Sequence, residues 1–183
     1  MITCVARQEA RHIFSELEQT NPDLYMRNPS VHDYSGDVPI HSSASNLIYL
    51  ENGKKLLIDI SPNSCHLESI NPILLGSIRA KLDQTNKKTT EIMPILIHGD
   101  ASITGQGVVF ETQILEQLLN YSVGGAVHIV LNNYIGNENQ ENEGRSSFHA
   151  SNIARINENF VIFVSNENPE KVDFAIRTAI EYR

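Results

Sequence analysis

Cysteine is scarce in this chain. Cys4 and Cys65 are the only two, and they lack the spacing of a metal-binding set. A reduced, cytoplasmic setting is therefore the default expectation. No apolar run approaches the ~20 residues needed to cross a bilayer, so no membrane association is expected. The stretch from Met1 to Arg11 lacks the charged, apolar and small-residue regions of a signal peptide. Basic residues do not cluster, and the net charge is −8. Both features argue against general nucleic-acid binding. No Gly-x-Gly-x-x-Gly follows a strand-like run, which sets aside a nucleotide-binding dehydrogenase domain. No internal repeat or second domain is visible. The 183 residues are expected to form one domain, long enough to bury a real core.

What is present alternates between helical and strand patterns. Ala10, Ile13, Phe14 and Leu17 mark an amphipathic opening helix ending before Asn21-Pro22. From residue 22 to residue 46 the chain is rich in Pro, Ser, Asn and Asp without periodicity, and a long irregular segment is expected there. Lys55 to Ile60 reads as a strand after an Asn52-Gly53 turn. Asn71-Pro72 reads as the cap and first-turn proline of a helix carrying Leu74, Leu75, Ile78 and Leu82. Two short apolar runs follow, Met93 to Ile97 and Ala126 to Leu131. They are separated by a predicted helix over 106–120 with Val109, Phe110, Ile114, Leu118 and Leu119 on one side. The Asn- and Glu-rich stretch 137–143 reads as a solvated loop. Residues 146–155 suggest a short helix and 160–164 a third buried strand. Asn168-Pro169 opens a last helix carrying Val172, Ala175, Ile176, Ala179 and Ile180. This alternation predicts an α/β fold with a mostly parallel sheet covered by helices on both faces.

The two apolar runs stop at His98-Gly99-Asp100 and at Asn132-Asn133-Tyr134-Ile135. A strand–helix–strand crossover sets consecutive parallel strands side by side, with their C-terminal ends on one edge. Open α/β sheets bind ligands at such an edge. A carboxylate from Asp100, an amide oxygen from Asn133 and a nearby backbone carbonyl suit Mg²⁺, which usually keeps phosphate oxygens and water as its other ligands. Alone, Asp100 also reads as a helix N-cap, and Asn132-Asn133 as a turn. The pair together points to metal–diphosphate binding. His98 and His128 read as core histidines. His66 is open between a neighbour of the cap and a lining residue, and Cys65 reads as inert.

The Gly-Asp and Asn-Asn elements resemble the thiamine-diphosphate motif. The surrounding words narrow the likeness: His98-Gly99-Asp100-Ala101, Gly105-Gln106-Gly107-Val108-Val109, Gly124-Gly125, Val130-Leu131-Asn132-Asn133 and Ile135-Gly136. Further matches are Ser35-Gly36-Asp37-Val38 with His41, then His66-Leu67-Glu68, Asn71-Pro72, Gly76-Ser77-Ile78-Arg79-Ala80, Arg145-Ser146-Ser147 and Asn168-Pro169-Glu170. From Gly36 to Arg183 the chain resembles the decarboxylase component of 2-oxoglutarate dehydrogenase. The resemblance implies the diphosphate-binding domain of a thiamine-diphosphate fold, with the pyrimidine-binding domain absent from this chain. It implies an enzyme that decarboxylates 2-oxoglutarate and passes the succinyl group to a lipoyl group on a dihydrolipoyl succinyltransferase partner. A homodimer in the full enzyme is implied as well.

Carried over by position, Asp100, Asn133 and the backbone carbonyl of Ile135 would ligate Mg²⁺. Gly99, Asp100, Ala101 and Ser102 would meet the diphosphate. His41 matches a substrate-facing catalytic histidine and Ser45 a serine near the cofactor. The cofactor would supply the difficult chemistry, and the chain alone is expected to be inactive. Some positions depart from the family. Pro39-Ile40 replaces Lys-Tyr, and Ser64-Cys65 replaces Pro-Ser. Asn152 stands for aspartate and Phe163 for histidine. These departures motivate the alternative of a diverged, non-catalytic α/β body that no longer binds cofactor.

Overall fold

The computed structural model describes residues 9–18, 41, 43–133 and 147–183. The chain divides into two compact units, Met1–Cys65 and His66–Arg183.

In the first unit, helix α1 (Ala10–Leu17) forms where its apolar spacing predicts. A two-stranded antiparallel hairpin follows, with β1 (Ala44–Tyr49) paired to β2 (Lys55–Ile60) and Leu47 opposite Leu57. The predicted turn closes it. Gly53 takes a positive φ of 76°, and the Asn52 side chain accepts from Lys54 N at 3.0 Å. Strand β1 starts inside the segment expected to be irregular. Residues 22–40 and 42 of that segment lie outside the described residues, but 44–46 are strand. Their polar composition misleads because pairing supplies what hydrophobicity does not. Ser45 sits opposite Asp59 in the register and donates its hydroxyl to Asp59 Oδ1 at 2.6 Å.

The second unit opens with α2 (Ile70–Thr85), where Ser69 and not Asn71 holds the N-cap position, without a side-chain capping bond. Asn71 lies in the first turn, buried and bonded to Glu68. Its side chain serves the tertiary structure instead of the helix end. Leu75, Ile78 and Leu82 bury the predicted face of α2 against Val123, each contributing about 1.5–3 kcal/mol on full burial. Next come β3 (Ile95–Gly99), α3 (Asp100–Gly105), α4 (Gly107–Glu116) and β4 (Val127–Leu131). A 3₁₀ helix spans Ala150–Asn157, and α5 spans Pro169–Tyr182. The Asn168 side chain accepts from Lys171 N, the cap that Asn168-Pro169 predicts. The last residue, Arg183, ties loops together by donating to the carbonyls of Thr89, Ile92, Val123 and Gly125.

Strands β3 and β4 pair in parallel, with Ile97 opposite Ile129 and Gly99 opposite Leu131. The fold is thus α/β with a parallel ladder and helices. Among the described residues each sheet has two strands. Ile95 and Ile97 alternate with buried Leu96 and His98 and stay exposed, so the described residues cover one face of β3.

Three expectations are corrected. Residues 160–164 form no strand among the described residues, and Phe163 is 67% exposed. An apolar run flanked by turns predicts burial, but it carries no information about which strand would pair with it. The helix expected over 106–120 is helical only from Gly107 to Glu116. Its buried residues are Val109, Thr112 and Gln113, whereas Phe110 and Ile114 are exposed and Leu119 is 88% exposed. The half-polar face turns inward because it meets the 3₁₀ helix. There Asn157 donates to Gln113 O, and Ile103, Val109, Ala150 and Ile153 form a second core. In α5 only Ala175 of the predicted stripe is fully buried.

Gly124 explains why its dipeptide needs glycine. Its φ is +85°, and a Cβ there would meet Thr89 Cβ at 2.6 Å. Gly124→Ala should therefore destabilise the second unit by about 1–3 kcal/mol, read as a lower urea midpoint.

Candidate functional site

The register that sets Gly99 opposite Leu131 puts Asp100 and Asn132-Asn133 just past the ends of two parallel neighbours. The two segments leave the sheet at the same rim. Asp100 is the first residue of α3, with Gly99 at the N-cap. The cap reading of Asp100 is therefore replaced. Asp100 is 3% exposed, while Asn133 is exposed. The turn between strand and helix is tightly bonded. Ser102 Oγ donates to Gly99 O at 3.0 Å, and Thr104 Oγ1 donates to Asp100 O at 3.0 Å and Ala101 O at 3.3 Å. Ile135 lies outside the described residues.

Below this turn sits a buried polar cluster. Glu68 Oε2 accepts from His98 Nδ1 at 2.6 Å and from Asn71 Nδ2 at 2.8 Å. Glu68 Oε1 accepts from Ser102 Oγ at 2.6 Å. Burial alone would raise the Glu68 carboxyl. Hydrogen bonds from His98, Ser102 and Asn71, with the charge of His98, outweigh it and hold the group below the ordinary glutamate value. His98 continues to His128, with Nε2 and Nδ1 3.0 Å apart and the rings stacked. His128 Nε2 then lies 3.6 Å from Glu116 Oε1, an ion-pair distance longer than a hydrogen bond. His98 is the core residue that its place on β3 predicts, whereas His128 is only half-buried.

Glu68, Asn71 and Glu116 are the members that sequence reasoning missed. Glu68 stood only as a letter in a matching word, and Asn71 was read as a helix cap. A glutamate ahead of a helix carries no mark of a partner 30 residues away.

His41 and Ser45 belong to the first unit. His41 Nε2 lies 3.0 Å from Cys65 Sγ, and the Ser45 hydroxyl is bonded to Asp59. The described residues hold no group of three or more His, Cys, Asp or Glu side chains placed for a metal. Asp100 and Asn133 nevertheless supply hard oxygen donors of the kind Mg²⁺ takes. The remaining positions fall to phosphate, water and backbone carbonyl, as is usual for that ion. The donor chemistry fits.

The profile of the family described as "Dehydrogenase E1 component" matches residues 34–183. The chain belongs to this family. The likeness read from the His98 to Ile135 words therefore holds at the level of family. Among the relatives of this E1-family chain is a 2-oxoglutarate dehydrogenase E1 component of Bacillus licheniformis. It is 39% identical over 181 residues, covering 93% of the chain and 19% of the relative. A mitochondrial 2-oxoglutarate dehydrogenase of Dictyostelium discoideum is 41% identical over 152 residues, covering 81% and 15%. A probable 2-oxoadipate dehydrogenase complex component E1 homolog from the same organism is 37% identical over 150 residues, covering 81% and 17%. The E1-family chain thus spans less than a fifth of the length of these relatives. Among the described residues no helix is long and apolar enough to cross a membrane.

Proposed function

We propose that this chain is the diphosphate- and Mg²⁺-binding portion of a 2-oxoglutarate dehydrogenase decarboxylase component. The observation that carries the reading is the parallel register of β3 and β4, which sends Asp100 and Asn133 off one rim. Asp100 and the Asn133 amide oxygen hold the cation, with the Ile135 carbonyl as a third protein donor. The backbone of Gly99, Ala101 and Ser102 faces the diphosphate. Thiamine diphosphate, when bound, supplies the electron sink for loss of CO₂ from a 2-oxo acid. The chain's own residues bind and orient. The family likeness assigns His41 a role toward the substrate and Ser45 a role toward the cofactor.

In the whole enzyme the succinyl group passes to the lipoyl group of a dihydrolipoyl succinyltransferase, and two copies pair in the cytoplasm. The pyrimidine-binding half of the cofactor pocket is supplied by a domain outside these residues, so the chain alone is inactive.

Titration calorimetry of the chain with thiamine diphosphate in Mg²⁺ should show saturable binding that chelation abolishes. No binding by the chain and by the complete enzyme alike would favour a non-catalytic α/β body. Turnover of 2-oxoglutarate by the 183-residue chain alone would refute its dependence on further domains. Comparing 2-oxoglutarate with 2-oxoadipate in the completed enzyme decides between the substrates in the relatives' names.

A further inference from the structure

We propose that Glu68 is a positioning residue for Asp100, gripping the chain on both sides of it and so fixing where the Asp100 carboxylate points. The inference rests on the reading of Asp100 as a cation ligand, and it adds a residue to which no role had been given. Its first support is the division of labour between the two carboxylate oxygens. Oε2 holds His98, two residues before Asp100, and Oε1 holds Ser102, two residues after it, both at 2.6 Å. The same carboxylate thus clamps the last turn of the strand and the first turn of the helix. Asp100, lying between the two held residues, has little freedom to shift.

The second support is independent of those contacts. Glu68 has a φ of +64°, a left-handed conformation that side chains with a Cβ rarely adopt. Such strain persists only where surrounding structure over-determines it, and it gathers at functional sites. The left-handed residue stands just before the Ser69 cap of α2, and the carboxylate it carries is 8% exposed. Asn71, from the first turn of α2, bonds the same Oε2 and orients the carboxylate. The grip reaches 30 residues along the chain to His98 and 34 to Ser102, so it joins the entry of one helix to the start of another.

Two readouts test this on the whole chain: calorimetric affinity for thiamine diphosphate in Mg²⁺, and hydrogen exchange across 96–105 without cofactor. Glu68→Gln keeps the shape but loses the charge and one acceptor. It should weaken binding about 10–100-fold, the range for partners that orient a metal ligand. It should also speed exchange more within 96–105 than in the rest of the unit. Ser102→Ala, which keeps its backbone N–H, should reproduce the direction of both effects. Asn71→Ala cuts the arm that does not reach the turn and should do less. Wild-type affinity and unchanged exchange in Glu68→Gln and Ser102→Ala would overturn the proposal. So would a loss of affinity matched by Asn71→Ala together with exchange faster by the same factor throughout the unit, the mark of a purely structural role. Failure of the cofactor reading shows separately, as a wild type that does not bind even within the complete enzyme or an Asp100→Asn variant that binds equally well. Either result removes the ligand that Glu68 would position.

Discussion

Replacement of Asp100 by asparagine should weaken Mg²⁺-dependent binding of thiamine diphosphate by at least about 100-fold. Partners that merely orient a ligand cost about 10–100-fold when removed, so loss of the anionic ligand itself should cost more. Asparagine retains an oxygen at nearly the same place but not the negative charge that a hard cation favours. Asn133→Ala should do less, because an amide oxygen contributes no net charge. Calorimetry of wild type and both variants at fixed Mg²⁺ supplies the comparison. The control is the urea midpoint of Asp100→Asn, which should stay near that of wild type because the side chain keeps its volume. Equal affinities in wild type and Asp100→Asn would remove Asp100 from the cation's coordination.

The β3–β4 pair was legible because its signals are local. Each run ends on a sharply polar, conformationally special sequence, Gly99-Asp100 and Asn132-Asn133. A helix between two strands leaves one handed way to lay them in parallel. Helix α2 was legible for the same reason, since Leu75, Ile78 and Leu82 repeat at helical spacing and all are buried. Reading failed where burial depends on a distant partner. The inward face of α4 is set by the 3₁₀ helix across from it, so Thr112 and Gln113 are buried while Phe110 and Ile114 are not. Strand β1 needs β2 before Ala44, Ser45 and Asn46 can count as strand. The Glu68 cluster draws on three separated stretches, 68–71, 98–102 and 116–128. No single window contains it.

Glu68→Ala should destabilise the second unit by about 1–3 kcal/mol, read by urea unfolding. Removing the carboxylate leaves buried donors without their acceptor. Here the stranded group is His98, whose Nδ1 points at the Glu68 carboxylate in a nearly solvent-free position. The acid dependence follows from the same carboxyl. Its folded value lies below the ordinary 4.5, so as pH falls the unfolded chain takes up this proton first. The stabilisation is therefore complete above pH 4.5 and drains away as pH drops through the lower, folded value. Urea midpoints measured from about pH 7 to pH 3 should show wild type losing stability on this limb. Glu68→Gln, which has no proton to gain, should start lower and fall less steeply there. Parallel acid limbs in the two proteins would mean that Glu68 titrates alike in the folded and unfolded chains, and its three hydrogen bonds would then confer no net preference for the ionised form.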